Sequence, residues 1–106
     1  MLKQLNLKNL KQTIIQDPGA TFYLVSRGGL NYLNSDKIRK CPVLAPSDKL
    51  ALKFRSGDIK ESEFKNRYIQ ELQSPIVRKL LCFIRSEALE NDVYLVCKWD
   101  HLLDII

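Results

Sequence analysis

The chain is poor in the residues that build metal centres and disulfide frameworks. It contains three cysteines, Cys41, Cys82 and Cys97, and a single histidine, His101. Widely spaced cysteines in an odd number, without a Cys-x-x-Cys pair, argue against both a disulfide framework and a zinc site. We therefore expect free thiols in a reducing compartment, with no bound metal and no cofactor.

Long apolar runs are also missing. No stretch approaches the ~20 apolar residues that a membrane-spanning helix needs. Residues 1–11 alternate polar and apolar types, so they lack the continuous apolar core of a secretion signal. We therefore expect a cytoplasmic protein with no membrane association. Its 106 residues allow one domain, 1–106, with one modest core.

The charge is unevenly distributed. The net charge is +5, but residues 1–60 hold 11 Lys/Arg and 4 Asp/Glu, whereas residues 61–106 hold 6 and 8. A basic half can attract nucleic acid or an anionic substrate through its long-range field. No stacking motif or basic helix accompanies this charge, so nucleic-acid binding is a possible function but not the favoured one.

Two continuous apolar runs indicate buried strands. They are residues 21–26 and the segment Val93–Cys97, both rich in β-branched and aromatic residues. Continuous rather than alternating runs are typical of parallel strands that are covered on both faces. With helices between them, they predict a single small three-layer α/β domain, in which helices flank a short parallel sheet.

Helix signals fill most of the remaining chain. Ser47 can cap the free N–H groups of a helix, and Asp48 favours its positive end. Ser74 followed by Pro75 is the strongest helix start in the chain. The predicted helices cover residues 8–16, 35–40, 47–57 and 58–73, with the longest beginning at Ser74–Pro75.

Parallel strands would bring several polar side chains to one edge of the sheet. Ser26 and Arg27 follow the first run, and Lys98 follows Cys97. Open α/β sheets bind ligands at this carboxyl edge. The predicted ligand-binding residues are Ser26, Arg27, Ser47 and Lys98, because a helix start and a guanidinium both suit an anion. Cys97 is a candidate nucleophile if its thiol pKa is lowered, with His101 as its base.

The order of these segments resembles the domain of unknown function 488 (DUF 488) family. The segments that carry this resemblance are "LAPSDKLALKFRSGDIKESEFKNRYIQEL" at 44–72, "YLVSRG" at 23–28 and "NDVYLVCKW" at 91–99. Together they cover most of the chain. The resemblance implies an α/β fold and a functional end that contains Cys97.

The C-terminal segment departs from that family. Its members continue to a Cys-His-Arg triplet, where this chain has Asp100, His101 and Leu102. His101 is either the family histidine or a residue outside the pattern. The resemblance implies that any chemistry requiring both thiols or the arginine charge is lost or altered here.

We therefore predict a non-catalytic binding or interaction module that recognises an anionic small molecule or a protein partner. The alternative is a thiol-dependent enzyme acting on a nucleotide-like or other anionic substrate. An exposed apolar tail would favour a protein partner or a homodimer. That tail comprises Leu102, Leu103, Ile105 and Ile106.

Overall fold

A computed structural model describes residues 1–27 and 38–106 of the chain. Its sheet contains four strands in the order β1-β4-β2-β3, and all three neighbouring pairs are parallel. The strands are β1 (Leu2–Asn6), β2 (Thr21–Leu24), β3 (Ile38–Lys40) and β4 (Val93–Cys97). The predicted parallel orientation of β2 and β4 is confirmed, and the two strands are direct neighbours, with Leu24 opposite Val96.

Helices cover both faces of the sheet, which confirms the small α/β fold. Among the described residues, the helix α1 (Leu10–Gln16) packs on one face, and three helices pack on the other. These three are α2 (Asp48–Arg55), α3 (Glu61–Glu71) and α4 (Pro75–Ala88). The crossover from β1 to β2 and the return from β3 to β4 run in opposite directions along the sheet. Crossovers of one hand then place their helices on opposite faces.

Side chains of the central strands alternate between the two layers. Phe22 of β2 faces the α1 side and stacks on Tyr94 of β4, with ring centroids 5.1 Å apart. Tyr23 and Leu95 face the other side, where α4 contributes the fully buried Ile84. Burial on both faces explains why β2 and β4 are continuous apolar runs.

The ends of the helices agree with their sequence signals. Ser47 accepts a hydrogen bond from the Leu50 N–H at the start of α2, and Pro75 opens α4. Gly57 follows α2 with a φ of +82°, a left-handed conformation in which glycine is favoured. The helix predicted over residues 58–73 is shorter, because α3 comprises Glu61–Glu71.

Two strands were not predicted. β1 has an alternating pattern, and all five of its residues are half-buried at the sheet edge. Ile38–Lys40 forms β3, so the helix predicted at residues 35–40 is wrong for 38–40, and residues 35–37 lie outside the described range. Arg39 attaches this edge strand to α4 through Glu87, at 3.2 Å, and also donates to the hydroxyl of Tyr23 on β2 at 2.9 Å.

Candidate functional site

The carboxyl ends of β2 and β4 lie side by side. The Val25 N–H donates to the Val96 carbonyl at 2.8 Å, which extends the pairing one residue beyond β2. The segments Ser26–Arg27 and Lys98–Trp99 therefore leave the sheet next to each other. This is the edge at which the sequence predicted a ligand site.

A cleft of about 530 Å³ opens at this edge. Its size is within the ~300–1,000 Å³ range of small-molecule sites. Its floor contains the ends of β2 and β4, and its sides come from α2, α3 and the segment before α2. The described lining residues are Leu7, Leu24, Val25, Ser26, Arg27, Ala45, Pro46, Asp48, Ala51, Phe54, Arg55, Phe64, Tyr68, Cys97, Lys98 and Trp99.

Aromatic rings form much of the wall. Phe54 of α2 stacks on Phe64 of α3 at a centroid distance of 4.3 Å, and Trp99 meets the Phe64 ring edge-on at 5.2 Å. Tyr68 lies 5.8 Å from Trp99 and donates its hydroxyl proton to the Leu44 carbonyl. Burial raises the pKa of Tyr68, so this hydroxyl stays a neutral donor. The cleft thus has a largely apolar interior.

Charged side chains line the same cleft, namely Arg27, Arg55, Lys98 and Asp48. Arg27 donates from Nε to the Pro46 carbonyl at 3.0 Å and from Nη2 to the Ala45 carbonyl at 3.2 Å. These bonds orient the guanidinium at the cleft. Among the described lining residues, three cations therefore stand against one carboxylate.

Ser47 does not line the cleft as the sequence predicted. Its N–H donates to Glu71 Oε1 at 2.7 Å, and its hydroxyl donates to Oε2 at 2.6 Å. A carboxylate at a helix start is favoured by the free N–H groups and by the helix dipole. The anion at the start of α2 is thus the chain's own Glu71, which lies at the end of α3.

Cys97 lines the cleft, but its thiol is not activated. It is 8% exposed, donates to the Trp99 carbonyl at 2.9 Å, and lies 3.5 Å from Gln4 Nε2. Burial raises the pKa of this thiol to about 11, despite these hydrogen bonds. The lowered pKa that the nucleophile hypothesis required is therefore not found.

His101 is not a base for Cys97 in this geometry. Its ring nitrogens face carboxylates instead, with Nδ1 3.3 Å from Asp104 and Nε2 3.8 Å from Glu61. Its ring packs edge-on against Trp99, with centroids 5.6 Å apart. The described contacts thus pair His101 with carboxylates and the Cys97 thiol with the Trp99 carbonyl and Gln4, and none joins the two residues.

The C-terminal segment packs largely on its own domain. Leu102 is fully buried, and Ile105 and Ile106 pack against the core formed with α2, α3 and α4. Arg85 of α4 donates to the Ile106 carbonyl at 2.6 Å. Leu103 is 36% exposed. Most of the apolar tail is therefore covered by its own core, so Leu102, Ile105 and Ile106 do not provide the exposed surface that would have favoured a partner.

Sequence reasoning missed the aromatic wall and Arg55. Phe64 and Tyr68 of α3 are buried in the core, and they also line the cleft. Their i, i+4 spacing identified one face of α3 without showing that this face ends at the sheet edge. The signal that could have located the wall was the combination of that face with Trp99, two residues after β4.

Two absences apply to residues 1–27 and 38–106. No group of three or more His, Cys, Asp or Glu side chains is placed to hold a metal ion. None of the helices there is long and apolar enough to cross a membrane.

Comparisons with known protein families, with curated proteins and with solved structures found no match. The resemblance to the DUF 488 family stays a prediction.

Proposed function

We propose that this protein is a non-catalytic binding domain that holds a small organic anion in the cleft at the carboxyl edge of its sheet. The observation that carries this proposal is the composition of the cleft. An apolar, aromatic interior is combined with Arg27, Arg55 and Lys98. Such a cleft suits a ligand with an apolar body and one acidic group.

The position of Arg27 supports an acidic group on the ligand. A guanidinium carries five donors in a planar fork that matches a carboxylate or phosphate. Two carbonyls orient this fork at the cleft, so less side-chain entropy is lost on binding. The net charge of +5 adds a long-range attraction for anions.

The state of Cys97 favours binding over thiol catalysis. With a pKa of about 11, roughly one thiol in ten thousand is ionised at neutral pH. Its proton is held by the Trp99 carbonyl, and His101 faces Asp104 instead. Cys97 then acts as a small apolar part of the cleft floor. Thiols of this kind suit a reducing compartment, and we therefore propose a cytoplasmic location.

Binding can be tested with anilinonaphthalene sulfonate, a fluorescent aromatic anion. Trp99 is the single tryptophan and lines the cleft, so its emission should fall as the probe binds and accepts energy from it. We expect one site per chain, with affinity that falls as salt rises. Uncharged anilinonaphthalene at the same concentration should bind more weakly.

Charge variants locate the site. Arg55→Gln should weaken sulfonate binding about 2- to 5-fold, the usual effect of one partly exposed charge pair. Arg67→Gln is the matched control, because it removes the same charge from the exposed face of α3, where Arg67 pairs with Glu63. Both proteins must retain the unfolding transition of the parent chain, since partly unfolded proteins also bind this probe.

Equal affinity of Arg55→Gln and Arg67→Gln would show that the probe responds to net charge and not to the cleft. Equal binding of the charged and uncharged probes would show that the negative charge of the ligand does not contribute to binding. Either result would overturn the proposed function.

A further inference from the structure

The indole N–H of Trp99 finds no hydrogen-bond partner in the described part of the chain. Among the described residues, Nε1 of Trp99 is the buried side-chain nitrogen or oxygen for which no partner is found. An indole nitrogen can only donate, so the missing partner is an acceptor. Buried polar groups in folded proteins nearly always have a partner, and an exception calls for a specific explanation such as a bound molecule.

Trp99 is held through its backbone and not through polar contacts of its ring. Its carbonyl accepts hydrogen bonds from the Cys97 thiol at 2.9 Å and from Gln4 Nε2. Its half-buried ring makes edge or tilted contacts with Phe64, Tyr68 and His101. Rotation of the ring would therefore break no hydrogen bond of the described residues.

We propose that the ligand of the cleft is a planar heteroaromatic anion, and that its ring acceptor receives the Trp99 N–H. This inference rests on the proposed function and names its ligand class. The buried Nε1 must turn toward the cleft when the ligand enters, a side-chain change that is common on binding. The aromatic wall of Phe54, Phe64 and Trp99 favours a flat ring, and Arg27 takes the acidic group.

A matched set of probes separates the acceptor from the ring shape. Naphthalene-2-carboxylate has the flat body and the acidic group but no ring acceptor. Quinoline carboxylates have the same outline, with nitrogen in place of one ring carbon at different positions. We expect at least one quinoline isomer to bind about 2- to 10-fold more tightly than the naphthalene compound, the range of one net hydrogen bond.

The single tryptophan makes the contact directly observable. Nitrogen-15 labelled protein gives one indole N–H resonance, which is therefore assigned without ambiguity. We expect the favoured quinoline to move its proton shift downfield and to slow its exchange with solvent. Naphthalene-2-carboxylate should change this proton much less, although it occupies the same cleft.

The Trp99→Phe variant keeps an aromatic ring and removes the donor. In this variant the advantage of the quinoline over the naphthalene compound should disappear, because the loss of ring contact is common to both probes and only the quinoline loses a hydrogen bond. If the variant does not fold, the indole resonance of the parent chain still decides the question.

The outcomes distinguish this inference from the proposed function. If both carboxylates bind the parent chain equally and the indole resonance behaves alike with both, the acceptor proposal is wrong and the anion cleft stands. If neither carboxylate nor the sulfonate probe binds, both proposals fail. A quinoline advantage that persists in Trp99→Phe would overturn the role of Nε1.

Discussion

Alkylation of Cys97 by iodoacetamide should be slow in the folded protein. At about pH 8, a thiol with a pKa of about 11 is ~0.1% ionised, whereas a thiol at the ordinary 9.0 is ~10% ionised. This lowers the reactive fraction roughly a hundredfold. A more basic thiolate is intrinsically more nucleophilic, so over this pKa difference the rate constant of the thiolate itself rises by about a factor of ten.

The net chemical effect is a rate about tenfold below that of a free thiol, and burial of the sulfur at 8% exposure slows it further. The rate should keep rising as pH increases past 9, without a midpoint in the neutral range. Mass spectrometry of peptides from a time course at several pH values gives the rate for each cysteine. Cys82 is the internal exposed reference, and buried Cys41 is the internal protected one.

A contrary result is easy to recognise. If Cys97 alkylates as fast as a free thiol near neutral pH, or shows a midpoint below ~8.5, the raised pKa is wrong. The thiol-enzyme hypothesis would then return. If Cys97 becomes reactive only when the protein unfolds in denaturant, it is a buried floor residue of the cleft.

Three further predictions concern stability. The folded state holds the Cys97 proton more tightly than the unfolded state, so the contribution of Cys97 to the free energy of unfolding is complete below about pH 9, and about 3 kcal/mol is lost as pH rises through 11. In chemical denaturation, Cys97→Ala should lose less stability at alkaline pH, and an unchanged pH slope would contradict this. Ser47→Ala should lower the free energy of unfolding by about 1–2 kcal/mol, because it removes a helix cap and a hydrogen bond to Glu71, and it should leave sulfonate binding unchanged. Weaker binding at unchanged stability would restore Ser47 as a ligand residue. Gly57→Ala should lower the free energy of unfolding by about 1 kcal/mol. The cost comes from the positive φ of the backbone alone, since an added Cβ meets no atom within 4 Å. An unchanged thermal midpoint would refute this strain argument.

Local sequence signals predicted the elements whose cause is local. A capping serine and a following proline act within one helical turn, so the predicted starts of α2 and α4 agree with the structure. The apolar runs of β2 and β4 are continuous because helices cover both faces of the central strands.

The edge strands escaped prediction because their environment is mixed. β1 has half-buried residues throughout, and Ile38–Lys40 has two exposed residues of three. Neither segment needs the apolar composition that identifies a central strand. Their pairing with β4 and β2 comes from backbone hydrogen bonds, which any side-chain sequence can form.

The sequence by itself determined that helices alternate with buried parallel strands, and therefore that Arg27, Lys98 and Cys97 meet at one sheet edge. Only the tertiary structure decided what these residues do there. Glu71, 24 residues away, accepts a hydrogen bond from the Ser47 N–H. Burial raises the pKa of the Cys97 thiol. Burial and long-range partners depend on how the helices pack, because they arise from contacts between segments that are distant in the chain. Local sequence patterns do not specify those contacts.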